Sequence, residues 1–525
     1  MMKRIFTLIA LVAISFISMA QWLPQASGFT EASRGIKFMH AVSDQIVWAT
    51  AYDGSGTAAE IAEFTKTTNG GDLWTAGVVN NATGLEPAMI CAIDANTAYI
   101  PLYRSSGSLP QGIYVTTDGG ATWNKQATAL FTNAASFPNV VHFFDANNGF
   151  CQGDPINGDF ELYTTSDGGT TWTAVDGANI PAPVSGEWGV VGYYSAVGDH
   201  IWFGTNKGRV YRSADKGLTW EVSATTLTNK FVDVEFRNEM HGIAMDKSSG
   251  TTGAMSETFD GGVTWAAVTT TGTVLTNDFA YVPGTPNTWV CTGAATGLTG
   301  IAYSFDGAHT WSFFPDTEGT QFLATDWIDN MTGWCGAFNE SNTVGGMYKF
   351  NGILEQPLPP TNLQATVVDG NNVDLTWDAP SGTRALIGYN VWRNGTKIAN
   401  QITDNFYSDL DLGNGSYSYQ VTAVYDAGES TPAGPVAVEI TGVGVENNEL
   451  VQLNIFPNPS VNVLNINAGV EISNAKIYNI AGRLVFETNA ASNNLSINTS
   501  EMPSGLYLLS ISTKQGVITR KISIR

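Results

Sequence analysis

The side chains that most often do chemistry are few and scattered. The 525-residue chain has five histidines (His40, His142, His200, His241 and His309), and none stands within five residues of another. No His-Glu-x-x-His, Cys-x-x-Cys or Gly-x-Ser-x-Gly pattern occurs, so the local arrangements that hold zinc or raise a nucleophile are missing. Cys151, Cys291 and Cys335 recur at similar positions of different segments and read as small core residues, as does Cys91. Cys291 and Cys335, in adjacent segments, leave one disulfide pairing open. The pattern implies no metal, no cofactor and no catalytic set. What remains is the chemistry of recognition. Trp188, beside Glu187 in the loop NIPAPVSGEWG, leads these residues, because an exposed indole stacks on sugars or on partner side chains. The alternative for Trp188 is packing against the neighbouring segment.

The elements that position such residues are short strands. Charged residues make up 14% of the chain, aromatics 11%, and glycines number 56, a mixture suited to many strands joined by tight turns. It excludes coiled coil, collagen and disorder. Six segments repeat: TTNGGDLW ending at Trp74, TTDGGATW at Trp123, TSDGGTTW at Trp172, SADKGLTW at Trp220, TFDGGVTW at Trp265 and SFDGAHTW at Trp311. Their spacings, 49, 49, 48, 45 and 46 residues, fit four strands per unit, the size of one propeller blade. In each turn an aspartate accepts from backbone N–H groups, glycines supply positive φ, and Trp opens the outer strand.

The series resembles the Asp-box, or BNR, repeat, with Asp118, Asp167, Asp215, Asp260 and Asp306 as structural aspartates and Asn69 in the first copy. Inner-strand signals start near Ile36, Ala88, Val140, Val190, Val232, Asn277 and Phe322. The last unit lacks a Trp strand, which QWLPQASGF, with Trp22, supplies from the other end. The expected fold is therefore all-β: a seven-bladed β-propeller over 21–350, followed by two small β-sandwich domains. Seven blades are more similar to the photosystem II assembly-factor and sortilin-like propellers than to six-bladed sialidases.

Propeller geometry puts ligands on the face that carries the second-to-third-strand loops and the interblade loops. There stand Tyr52, Asp53, Arg104, Asp154, Glu187, Trp188, Lys207, Asp246 and Glu340. The sialidase resemblance would require three arginines and a Tyr/Glu nucleophile pair. The propeller offers Arg34, Arg104, Arg209, Arg212 and Arg237, with only the first two in face loops, and no Arg-Ile-Pro element. Sialidase chemistry is disfavoured. Asp-box xyloglucanases work in a cleft between two propellers, and one is expected here.

A Pro-rich linker (351–360) leads into 361–440, whose alternating strands resemble a fibronectin type III domain. Trp377 matches its core Trp, and Tyr417 stands at the tyrosine corner. After a second linker (441–450), residues 451–525 resemble the C-terminal sorting domain of the type IX secretion system of Bacteroidetes. The match rests on F-P-N-P (Phe456 to Pro459), Ile480-Ala481-Gly482, P-S-G-L-Y and a basic last strand. At the other end, residues 1–20 carry Lys3 and Arg4, an apolar run and Ser18-Met19-Ala20, which read as a secretory signal peptide. No later stretch is long and apolar enough to span a membrane. With 24 basic against 47 acidic residues, the net charge of −23 disfavours nucleic acid.

The expectation is a secreted or cell-surface modular binding or adhesion protein. Its propeller would recognise an extracellular glycan or protein ligand, and its C-terminus would engage the type IX machinery. An extracellular glycan-active hydrolase is the alternative, distinguished by a close carboxylate pair on the channel face. An assembly factor for other surface proteins is a third reading, by fold analogy.

Overall fold

Short β-branched and aromatic runs between Gly-rich turns fold into strands, and the helical elements among the described residues are two single 3-10 turns, Gly177–Asn179 and Pro315–Thr317. The computed structural model describes residues 21–57, 60–105, 110–129, 131–248, 253–341, 344–381, 386–425, 428–441 and 452–525. The expected signal peptide, and the expected second linker after residue 441, lie outside them. The chain divides into two compact units between Gln356 and Pro357.

The first unit is a series of antiparallel sheets. Four-stranded sheets cover 138–174, 189–224, 232–267 and 278–313, and a five-stranded sheet covers 85–125. An eight-stranded sheet joins the two ends of the unit. One half of it holds Arg34–Ala41, Val47–Asp53, Glu63–Thr67 and Trp74–Val78. The other holds Phe322–Asp329, Thr332–Ser341, Val344–Phe350 and Trp22–Ala26. A single pair, Gly35 with Phe338, links the halves. As expected, the N-terminal strand pairs antiparallel with the last strand of the unit, Trp22 opposite Phe350 and Gln25 opposite Met347. Trp22 is buried edge-on among Phe314, Trp327 and Phe350, with ring centroids 5.4–5.7 Å apart.

The sheets stand around one axis. Met39, Ile90, His142, Tyr194, Val234, Phe279 and Thr325, from successive sheets, all line a single central cavity of 240 Å³. This is a β-propeller. The Gly-rich hairpins lie elsewhere in each sheet and hold themselves together locally. In one, the Thr165 hydroxyl donates to Asp167 Oδ1 (2.9 Å), which also accepts from the Thr171 N–H (2.8 Å), while Gly169 N–H donates to the Thr165 oxygen (2.9 Å). The pattern recurs at Asp118, Asp215, Asp260 and Asp306. Asn69 repeats it through Oδ1, because the turn needs only an acceptor. The tryptophans that follow are buried, except the half-buried Trp265. All four cysteines are buried and free, so the Cys291–Cys335 pairing left open by the sequence is not made.

In the second unit, a sheet of Thr361–Val368, Asn372–Asp378 and Phe406–Asp409 and another centred on Leu386–Arg393 and Gly415–Tyr425 share a core of Val373, Leu375, Trp377, Tyr389, Val391 and Tyr419. The Tyr417 hydroxyl donates to Gly413 O at 3.0 Å. Strands Leu453–Phe456, Val463–Asn479, Leu484–Asn498, Gly505–Thr513 and Gly516–Ile524 form a further sheet. Its apolar side, with Leu464, Ile466, Ile477, Leu509 and Ile518, is buried.

Candidate functional site

The residues expected on the ligand face divide into those engaged within the fold and those that face solvent. Asp53 accepts from Arg34 (3.1 Å) and from the Thr57 hydroxyl (2.8 Å), and Arg34 also binds Glu63. Glu187 is buried, accepting from Thr205 Oγ1 and the Val184 N–H, both at 2.8 Å, with Arg209 at 3.3 Å. Asp246 pairs with Lys230 at 3.2 Å and accepts from the Ser248 N–H. Asp154 accepts from Asn139 (2.8 Å) and from the Gly189 N–H (3.2 Å), and burial pushes its carboxyl up to about 6. These acids brace loops. Lys207 is half-buried, and its N–H donates to Thr205 Oγ1. Arg104 and Glu340 are exposed at strand ends. Trp188 is 42% exposed and meets Phe231 edge-on at 6.4 Å, so it both contacts the neighbouring sheet and faces solvent.

Apart from His40 and His142, the axis holds side chains that sequence reasoning did not single out. Nearly every innermost strand offers an acceptor to a backbone N–H of the next. His40 Nδ1 accepts from Ala92 (2.8 Å), Met89 Sδ from Val141 (3.4 Å), and Ser195 Oγ from Phe236 (2.9 Å). Glu235 accepts from Tyr281, Asp278 from Thr325 (2.8 Å), and Asp326 from Ala41 (2.7 Å), which returns the series to its start. Between Val141 and Phe236 the link is His142 against the Tyr194 hydroxyl at 3.5 Å. Burial dominates the titration of these groups. It pushes Asp326 up to about 7 and raises Glu235 and Asp278, and it lowers His40 to about 4 and His142 to about 3. Burial also lifts Asp233 to about 6, although Lys247 opposes it at 3.2 Å. The channel carboxylates are therefore already used, as acceptors or as counter-ions. Among the described residues, no three metal-ligating side chains converge.

One mouth of the channel differs. Gly35 stands opposite Tyr52 on one side and opposite Phe338 on the other. The two rings meet beside it, with centroids 6.1 Å apart. A Cβ on Gly35 or Gly54 would lie 2.8 or 2.2 Å from Phe338 Cε1, so glycine is what lets the ring lie against the backbone. The result is an aromatic shelf whose Tyr52 is 43% exposed. It borders a 390 Å³ cavity that Lys37, Asn277, Ala294, Gln321 and Leu323 complete. A 290 Å³ cavity continues toward Tyr193, Asp233 and Lys247, and a 140 Å³ cavity lies between Tyr52, Asp53 and Glu86. Of the expected residues, this mouth brings together Tyr52 and Asp53. Glu187, Trp188 and Lys207 share a separate loop cluster, where the Trp188 N–H donates to Asn206 and the Thr205 hydroxyl donates to Glu187. Phe338 was foreshadowed only by its strand. Lys37 had no local signal, because a β-bulge places it.

Residues 454–525 match the family model described as a secretion system C-terminal sorting domain. The chain is 39% identical over 74 residues to an alpha-amylase of Niallia circulans, covering 14% of this chain and 6% of that protein. It is 28% identical over 157 residues to chitinase A1 of the same organism, covering 29% and 21%. The chain thus spans about a twentieth of the first relative's length and about a fifth of the second's. Among solved structures, YCF48 bound to D1 peptide is 17% identical, covers 64% of this chain and 98% of that one, and superposes with a TM-score of 0.46. No helix among the described residues is long and apolar enough to cross a membrane. The C-terminal sorting domain marks this chain for type IX export to the cell surface or the extracellular space.

Proposed function

We propose that the exported chain is a modular binding or adhesion protein whose recognition head is a seven-bladed Asp-box propeller over 21–350. In this reading 361–440 is a fibronectin type III spacer, and 451–525 directs export and attachment after a cleavable 1–20 leader. Its ligand is an extracellular glycan or protein met on the face that bears Tyr52 and Trp188, with Arg104, Lys207 and Glu340 at its rim. The observation that carries the reading is the contrast at the axis. An exposed aromatic shelf borders an open, amide-lined cavity, whereas the carboxylates that hydrolysis would need are bound to backbone or to lysine. Kinship over short stretches with a chitinase and an alpha-amylase favours glycans among the ligands.

The test is a glycan and peptide array probed with the mature chain and with Tyr52→Ala. The expected result is saturable binding that Tyr52→Ala weakens at least tenfold, without release of reducing ends from the bound glycans. Turnover of a bound glycan would replace this reading with the hydrolase.

A further inference from the structure

Two first strands carry a bulge whose inserted residue lines the channel mouth. On Arg34–Ala41 the register passes from Ile36 opposite Ala51 to Phe38 opposite Thr50, so Lys37 is the extra residue. On Phe322–Asp329 it passes from Phe322 opposite Ala337 to Ala324 opposite Gly336, which makes Leu323 extra. A bulge re-aims the inserted side chain, and both residues line the mouth. Lys37 is common to all three cavities there, of 390, 290 and 140 Å³.

The two lysines at this mouth are in opposite states. Lys247 is matched: Asp233 lies at 3.2 Å, Asp278 at 3.8 Å, and the Asn277 carbonyl accepts from it. Lys37 has no ion pair and no hydrogen-bond acceptor among the described residues. Its ammonium lies 5.5 Å from the Phe38 ring centre and 5.9 Å from that of Tyr103. Glu86, the nearby carboxylate, is engaged by the Tyr103 hydroxyl at 2.8 Å. Burial disfavours the charge on Lys37, and Glu86 offsets this only in part. A partly desolvated cation without a counter-ion is stabilised by an anion that enters from solvent.

We infer that this mouth binds an acidic saccharide, with a uronic-acid carboxylate on Lys37 and the sugar's apolar face on the Tyr52–Phe338 shelf. The inference rests on the binding reading above and names its ligand class. Asn277 and Gln321 donate through their side-chain nitrogens to Leu323 O and Ala294 O, which leaves their amide oxygens to accept from hydroxyl groups. An extended peptide is less well served. The axis-facing N–H groups of Ala41, Ala92, Val141, Phe236 and Thr325 already donate to neighbouring side chains, so these strands present no open ladder for strand addition.

The experiment is calorimetric titration of the mature chain with tetramers of galacturonate, glucuronate and mannuronate, each beside its methyl ester. At least one acid tetramer should bind, and its ester at least tenfold more weakly. Lys37→Met should abolish the preference for the acid and Lys37→Arg should restore it, with the melting temperature of each variant confirming the fold. Asp167→Ala, whose lost side-chain bonds lie within its own hairpin, should leave this binding unchanged. Equal affinity for acid and ester, unchanged binding by Lys37→Met, or no binding of any acid tetramer would overturn the inference. Neutral glycans or peptides bound on the array would still leave the broader binding reading standing.

Discussion

Aspartate does one job at two places in the propeller, and the surroundings give it opposite chemistry. At the hairpins, Asp118 accepts from the Thr122 N–H and hydroxyl and from the Thr116 hydroxyl, and these bonds hold its carboxyl at about 2. At the axis, Asp326 also accepts two backbone N–H bonds, from Ala41 and Trp327, yet burial pushes it up to about 7. Hydrogen bonds to the charged form pull a carboxyl down, and loss of water pushes it up. At the rim the first effect wins, and at the axis the second. The reach differs as well. The hairpin bonds span two to four residues, whereas the Asp326–Ala41 bond spans 285. The rim stitches a strand to its neighbour in sequence, and the axis stitches the last innermost strand to the first.

The largest effect should come from cutting the closure itself. Deleting residues 21–26 removes the strand paired with Val344–Phe350 and bares a sheet edge. Trp22→Ala alone should cost about 3 to 5 kcal/mol, by the range for buried Trp in a core, and the deletion more. A thermal melt should show the whole first unit destabilised. A deletion that melted like the parent would break the account of closure.

Next is the axis. Asp326→Ala leaves the Ala41 N–H unsatisfied, at about 1 to 3 kcal/mol. The raised carboxyls also give stability a pH dependence with a definite sign. A folded-state pKa above the ordinary value near 3.8 means that the folded chain holds the proton more tightly. That contribution is present at low pH and is lost as pH rises toward about 7 for Asp326 and about 6 for Asp233. His40 and His142, lowered from 6.5 to about 4 and about 3, act oppositely as pH falls below 6.5. As pH rises from about 4 to about 7, the melting temperature of the parent should therefore lose ground to that of Asp326→Asn, which keeps the histidines and lacks the titrating carboxyl. Equal slopes in the two proteins would remove Asp326 from the effect.

The smallest effect belongs to the rim. Asp167→Ala loses bonds to Thr165 and Thr171 in a solvent-exposed hairpin. It should lower the melting temperature by less than Asp326→Ala does and leave ligand affinity unchanged. A loss of affinity at constant melting temperature would move the rim into the binding machinery.

The rim was legible in the sequence because its interactions close within four residues. Thr, Asp, Gly and Trp at fixed offsets write out each hairpin, and a regular spacing near 47 writes out the series. Even the closing strand could be read, since QWLPQASGF supplies the Trp strand that the last unit lacks. The mouth was legible in part. Tyr52 follows from its place at a strand end, and Trp188 from its loop. That Asp53, Glu187 and Asp246 are braced by Arg34, Arg209 and Lys230 depends on partners 16 to 22 residues away, and no local pattern announces it. Lys37 and the axis carboxylates were decided by tertiary structure alone. A bulge is a one-residue slip between two strands, invisible in either one. Burial at the axis exists only once distant segments have closed around it, so the same aspartate that a hairpin keeps charged becomes a proton-holding group there.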